Sequence, residues 1–80
     1  MTEGTLMMRP SGRWAVFRSG HKPVEITSGD VFRVEVPGKE GLQPTRMEFR
    51  QPFPGRPGEY YSVDGYHLEN GLRAAIGVGP

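Results

Sequence analysis

The conventional transition-metal ligands in this sequence are two histidines, His21 and His67, because the chain contains no cysteine. A structural zinc site takes four ligands, usually cysteine and histidine at short spacings. His21 falls in a predicted turn and His67 on a separate strand or hairpin, and neither has further ligands spaced around it. We therefore expect both to be surface side chains and predict no metal site.

Serine nucleophiles and phosphate-binding loops find no support in their surroundings. Ser11, Ser19 and Ser28 each precede a glycine in a predicted turn, where hydroxyl groups usually bond the backbone. Ser62 lacks the glycine spacing of a nucleophile elbow, and segment 38–41 lacks the spacing and following helix of a phosphate loop. We predict no catalytic residue and no cofactor. The remaining enzymatic alternative is a small enzyme whose site is shared between subunits.

Three arginines and a tyrosine make the first candidate binding face. Arg33 lies on one predicted strand, Arg46 and Arg50 lie on the next, and Tyr60 takes the outward position on a third. If these strands are neighbours, guanidinium groups and an aromatic ring share one face. Single-stranded nucleic acid is bound by this combination of a cationic track and stacking side chains.

Acidic residues on the same face support a second interpretation. Glu35 and Glu48 alternate with the arginines, and opposite charges on neighbouring strands tend to pair. The chain as a whole carries 10 basic and 9 acidic residues, a net charge of +1, without the strong positive field of a typical nucleic-acid domain. The face is then a solvated ladder of charges that contributes little energy.

A second candidate surface is the proline-rich loop 52–57, which carries Phe53 and Arg56. Proline restricts the backbone, and loops held by a stiff scaffold often carry recognition residues. The alternative is that Phe53 packs over one end of the fold.

Alternation of apolar and polar residues predicts the elements that must position these side chains. The predicted strands cover residues 13–18, 23–27, 31–36, 45–51, 59–63 and 72–76. Residues 1–12 are predicted to be an N-terminal arm with a short strand at 5–8. One domain follows over 13–76, with a tail over 77–80.

Helical spacing of Leu68, Leu72 and Ile76 gives an alternative for residues 66–76, a short C-terminal helical turn. Gly71 lies inside that segment and would cost about 1 kcal/mol in a helix. We therefore favour a turn followed by a last strand.

Five or six short antiparallel strands with one apolar face each predict an all-β fold. A strongly bent sheet that closes into a small SH3-like barrel would bury those faces and hide the sheet edges. The predicted core residues are Trp14, Val16, Ile26, Phe32, Val34, Met47, Phe49, Tyr61, Val63 and Ile76.

Two sets of residues resemble known families. The pattern that starts at Ile26, continues through Gly29-Asp30-Val31 and Val34 and ends at Gly38 is similar to the opening strand and loop of SH3-like barrels and to the KOW element. A longer set resembles a family of small bacterial proteins classed as a domain of unknown function: Gly29-Asp30-x-Phe32-x-Val34, Pro44-Thr45-Arg46-Met47-Glu48, Tyr60-Tyr61-x-Val63 and Gly71-Leu72-x-Ala74. This likeness spans residues 23–76 and implies a fold without an established activity.

Size and composition complete the functional prediction. A chain of 80 residues forms one small domain of marginal stability, for which contacts with a partner add burial. The absence of cysteine favours a reducing compartment, and we see no targeting or membrane-spanning segment. We predict a bacterial cytoplasmic, non-catalytic binding or adaptor module without a membrane partner. A protein partner or self-association is favoured, and nucleic acid is the alternative.

Overall fold

The computed structural model describes residues 1–51 and 53–77, and every regular element in this part of the chain is a β-strand. The strands are β1 (Thr2–Met8), β2 (Trp14–Phe17), β3 (Val24–Ile26), β4 (Val31–Glu35), β5 (Leu42–Arg50), β6 (Glu59–Ser62) and β7 (Arg73–Ile76). Residues 78–80 of the predicted tail lie outside the described residues. The described residues include no helix long and apolar enough to cross a membrane.

All strand pairs are antiparallel, and the spatial order is β3-β2-β1-β7-β4-β5-β6. The sheet curls into a half-barrel around one apolar core. The predicted all-β fold with a strongly bent sheet is therefore confirmed, with seven strands where five or six were expected. The helical alternative for 66–76 is wrong, because Arg73–Ile76 pairs with both β1 and β4.

The largest difference from the sequence prediction concerns the first strand. We expected only a short strand at 5–8 within an arm, but β1 covers Thr2–Met8 and lies between β2 and β7. Leu6 is fully buried in the core, while Gly4 leaves room for the neighbouring strand. A Cβ on Gly4 would overlap the backbone carbonyl of Phe17. Because glycine replaces a large apolar residue here, the alternation that signals a strand is weak.

Inward side chains of six strands and of Leu72 fill the core. The buried cluster contains Leu6, Trp14, Val16, Ile26, Phe32, Val34, Met47, Leu72, Ala74 and Ile76. Most of the predicted core residues belong to it. Leu6, Leu72 and Ala74 were not predicted. Leu6 is the single buried apolar residue of the glycine-containing strand β1, whereas Leu72 and Ala74 lie at alternate positions with Ile76 in a segment whose spacing also fitted a helix.

Three predicted core residues were placed wrongly. Phe49 is 47% exposed because it lies near the end of β5, beyond the stretch of sheet that the core covers. Val63 is 41% exposed because it lies opposite Arg46, on the outward side of the sheet. Tyr61 points to the outer face, where the Arg50 guanidinium lies 4.6 Å from the centre of its ring. The direction of Phe49 was right, since it shares a face with buried Met47 two residues earlier.

The two halves of strand β5 pair with different neighbouring strands. Leu42–Arg46 pairs with β4, and Met47–Arg50 pairs with β6. At the change of partner, the buried hydroxyls of Thr45 and Ser62 lie 2.7 Å apart and satisfy each other. The strand starts three residues earlier than predicted and includes exposed Pro44, which suggested a loop.

Candidate functional site

The three arginines of the first candidate face do lie on one side of the sheet, which we call the outer arginine face (Arg33, Arg46 and Arg50). Arg33 is opposite Pro44 and Arg46 is opposite Val31, so Arg33 and Arg46 are diagonal neighbours. Diagonal positions are roughly 7–8 Å apart. Arg50 lies four residues farther along β5, about 13 Å from Arg46. The arginines therefore form a line and not a compact cluster.

Carboxylates offset two of these charges. Arg46 Nε lies 3.1 Å from Glu48 Oε1, and Arg50 Nη2 lies 2.6 Å from Glu59 Oε1. Both pairs are partly exposed, so each contributes at most about 1 kcal/mol, but they lower the positive potential of the face. Arg33 has no ion pair within the described part of the chain.

Arg33 instead lines a groove of about 580 Å³ together with Glu25 and Asp30. Glu25 is already bridged to Arg9 at 3.4 Å and to Arg13 at 3.7 Å. The surroundings of Arg33 therefore also contain carboxylates. These contacts match the interpretation of the face as a solvated charge ladder.

Tyr60 does not belong to the outer arginine face. It is opposite Phe49 in the register of β5 and β6, its ring centre lies 4.9 Å from that of Phe49, and it packs against the core. The aromatic residue on the outer face is Tyr61, under Arg50. Two adjacent tyrosines leave the direction of each ambiguous in the sequence, and the pairing with Phe49 decides it.

The second candidate surface is solvent-exposed. Phe53 is 63% exposed, so the alternative in which it covers one end of the fold is wrong. The Arg56 amide donates to the Phe53 carbonyl at 3.2 Å, and Gly55 has a φ of 79°. Proline at 54 followed by this glycine is typical of a type II turn. Pro52, at the start of the predicted loop, lies outside the described residues.

An open groove of about 720 Å³ lies beside β6, and the sequence did not predict it. We call it the aromatic groove, and its apolar lining consists of Met8, Trp14, Tyr60, Tyr61, Val63, Tyr66 and Leu68. Trp14 is nearly buried, whereas Met8 is 47% exposed. The groove therefore offers water-exposed apolar surface above an aromatic floor.

Charges around the aromatic groove nearly cancel. The charged pair in its lining is Arg50 and Glu59, which are bridged to each other. At the rim, the Lys39 ammonium lies 5.4 Å from the centre of the Tyr66 ring, and Glu69 Oε2 lies 3.7 Å from Nε2 of lining His67. A further carboxylate, Asp64, adjoins lining residues on both sides. These surroundings suit a partner with little net charge.

One wall of the aromatic groove is the edge of the sheet. Every residue from Gly58 to Val63 lines it, and β6 pairs with β5 on its other side only. A sheet edge of this kind presents unpaired backbone groups that bind an additional strand.

Within residues 1–51 and 53–77, no group of three or more histidine, aspartate or glutamate side chains is placed to hold a metal ion. Comparison of the chain with protein-family profiles, curated proteins and solved structures finds no match. The resemblances to SH3-like barrels and to the bacterial family stay predictions.

Proposed function

We propose that this chain is a non-catalytic protein-binding module and that the aromatic groove is its binding site. The observation that carries the proposal is the exposed apolar lining beside an open sheet edge. Binding sites are typically concave and mostly apolar, with a few polar groups that fix orientation. Here Met8, Tyr66 and Leu68 provide the apolar surface, and the backbone of β6 provides the polar groups.

Marginal stability gives a second reason to expect a partner. A domain of this size has a free energy of unfolding of about 4–12 kcal/mol, so burial of the groove would add a substantial fraction. The absence of cysteine supports a reducing, cytoplasmic location for this interaction.

Nucleic acid is the alternative ligand, and the arrangement of Arg33, Arg50 and Tyr61 favours it. Arg33 has no carboxylate within ion-pair distance in the described part of the molecule, and Arg50 covers the Tyr61 ring. The alternative ranks second because Glu48 and Glu59 would repel phosphates from the same face.

Site-specific photo-crosslinking tests the two proposals. A photoreactive phenylalanine analogue replaces Met8 in the aromatic groove or, as a matched control, Val31, which is exposed on the outer face. We expect nuclease-resistant adducts from position 8 in extracts of the source cells and few from position 31. Nuclease-sensitive adducts from position 31 would favour nucleic acid, and an absence of adducts from position 8 would contradict the groove as the site.

A further inference from the structure

We infer that the partner binds the aromatic groove as an extended segment that adds a strand to the free edge of β6. This inference rests on the proposed function and specifies its partner. The segment is largely uncharged and carries apolar side chains at alternate positions. Its backbone bonds to β6, and its apolar side chains contact the groove lining.

The register of β5 and β6 identifies the backbone groups at the free edge. The Val63 amide donates to the Arg46 carbonyl at 3.0 Å, so this pair is hydrogen-bonded. Bonded and non-bonded pairs alternate along antiparallel strands. Tyr61 with Glu48 is therefore the next bonded pair, whereas Tyr60 and Ser62 direct their amides and carbonyls away from β5.

The outward groups of Tyr60 are available to a ligand, whereas those of Ser62 are not. Ser62 is only 2% exposed, and its carbonyl accepts from the Gly65 amide at 2.9 Å, which closes the turn after β6. The Tyr60 amide and carbonyl have no strand partner among the described residues. One donor and one acceptor on the same residue match the paired bonds that an added antiparallel strand would form.

The aromatic groove runs along the strand and not across it. Its wall comprises the consecutive residues Gly58–Val63, and Met8 and Leu68 contribute to the rest of its lining. Six residues of strand span about 20 Å, so five or six residues of a ligand fit along the edge. Because side chains alternate, every second ligand residue faces the aromatic lining.

The charge and shape of the aromatic groove favour a single extended peptide segment as its ligand. The Arg50–Glu59 bridge leaves the lining nearly neutral, which disfavours polyanions and strongly basic peptides. The edge opens into a groove whose lining also includes Trp14 and Met8, and not onto a flat surface. A single extended strand fits a groove of this kind.

The test begins with selection of linear heptapeptides, displayed on phage, against the full chain. The selected peptides are synthesised, and amide hydrogen exchange is measured with and without saturating peptide. We expect apolar residues at every second position. We also expect exchange of the Tyr60 amide to slow by roughly tenfold or more. The Tyr61 amide, already bonded within the sheet, is the internal control and changes less.

Matched substitutions test the groove itself. Met8→Asp places a charge in the apolar lining and should weaken peptide binding by about tenfold or more, corresponding to about 1.4 kcal/mol. Val31→Asp adds the same charge at an exposed position of the outer face and should leave affinity unchanged. N-methylation of the peptide amides at every second residue should abolish binding when those amides face β6. Methylation of the other set of alternate amides should leave binding intact, because those amides point away from β6.

The outcomes separate the inference from the proposed function. Peptides that perturb Met8 and Tyr66 without protecting the Tyr60 amide would overturn strand addition and leave a protein-binding groove. Failure to select any peptide, or perturbation confined to Arg33 and Arg46 on the outer face, would overturn both.

Discussion

Two phenylalanines on the same side of the sheet should respond very differently to truncation. Phe32 is 1% exposed at the centre of β4, whereas Phe49 is 47% exposed near the end of β5. The sequence predicted an equal loss from Phe32→Ala and Phe49→Ala, because both lie at inward positions. The structure predicts that only Phe32→Ala removes core packing.

The expected magnitudes follow from burial. A buried phenylalanine removes about 150–200 Å² from water, worth roughly 4–5 kcal/mol at 25 cal/mol per Å², and its loss leaves a cavity. Measured Phe→Ala losses in cores are about 3–5 kcal/mol. The half-exposed side chain of Phe49 contributes about half of that water-to-core transfer free energy, and its truncation leaves no cavity. Phe49→Ala should therefore lower the free energy of unfolding by about 1–2 kcal/mol. Phe32→Ala should therefore consume much of the stability of so small a domain.

Urea unfolding measures both variants. Trp14 is the only tryptophan, lies in the core and reports loss of tertiary packing by fluorescence, while circular dichroism reports loss of the sheet. If the dependence of the unfolding free energy on urea concentration has a similar slope in the wild type and both variants, their unfolding midpoints can be compared directly. Equal losses would show that Phe49 is a core residue, and an unchanged midpoint for Phe32→Ala would contradict the core described above.

Three further results are expected. Gly4→Ala should destabilise the fold by about 1–3 kcal/mol, because the added Cβ would meet a backbone carbonyl. Gly77→Ala is the control: its added Cβ would meet no atom, so thermal unfolding should be nearly unchanged. Ser62→Ala should cost about 1–3 kcal/mol of stability, because it leaves the Thr45 hydroxyl buried and unpaired. Adding Thr45→Val to that variant should recover part of the loss. If the stability losses of the two single substitutions simply add in the double variant, the two hydroxyls do not share a hydrogen bond. Single-stranded oligonucleotides should bind with a dissociation constant no tighter than about 1 μM. A tighter affinity would make nucleic acid the preferred ligand over protein if the logarithm of the binding constant falls with the logarithm of salt concentration at a slope of about −2, and if replacing the three arginines of the outer face flattens that slope.

Strands with regular alternation were predictable from the sequence. In Val31–Glu35, Phe32 and Val34 alternate with exposed residues, and this pattern follows from sheet geometry alone. Only residues 5–8 of β1 were predicted, because Gly4 occupies an inward position that a large apolar residue would normally mark. The start of β5 was missed for a different reason, since the proline at 44 suggested a loop.

The candidate site was predictable only where it depended on alternation. The three arginines share a face because each lies at an outward position of its strand. The aromatic groove could not be predicted, because Trp14 and Tyr66 are distant in sequence and meet only through the curl of the sheet. Local patterns carry no signal for a contact that long-range topology creates.

The position of β7 has a consequence for biosynthesis. Arg73–Ile76 leaves the ribosome after the six other strands described here, yet it lies in the middle of the sheet and joins β1 to β4. Until it emerges, the nascent chain presents two unpaired central edges, those of β1 and β4, which invite intermolecular pairing. Closure then requires contacts between residues more than 70 positions apart, such as Thr2 with Ile76, and contacts of this range slow folding. The sheet therefore cannot close before residues 73–76 have emerged, and a chain that terminates before residue 73 is expected to aggregate.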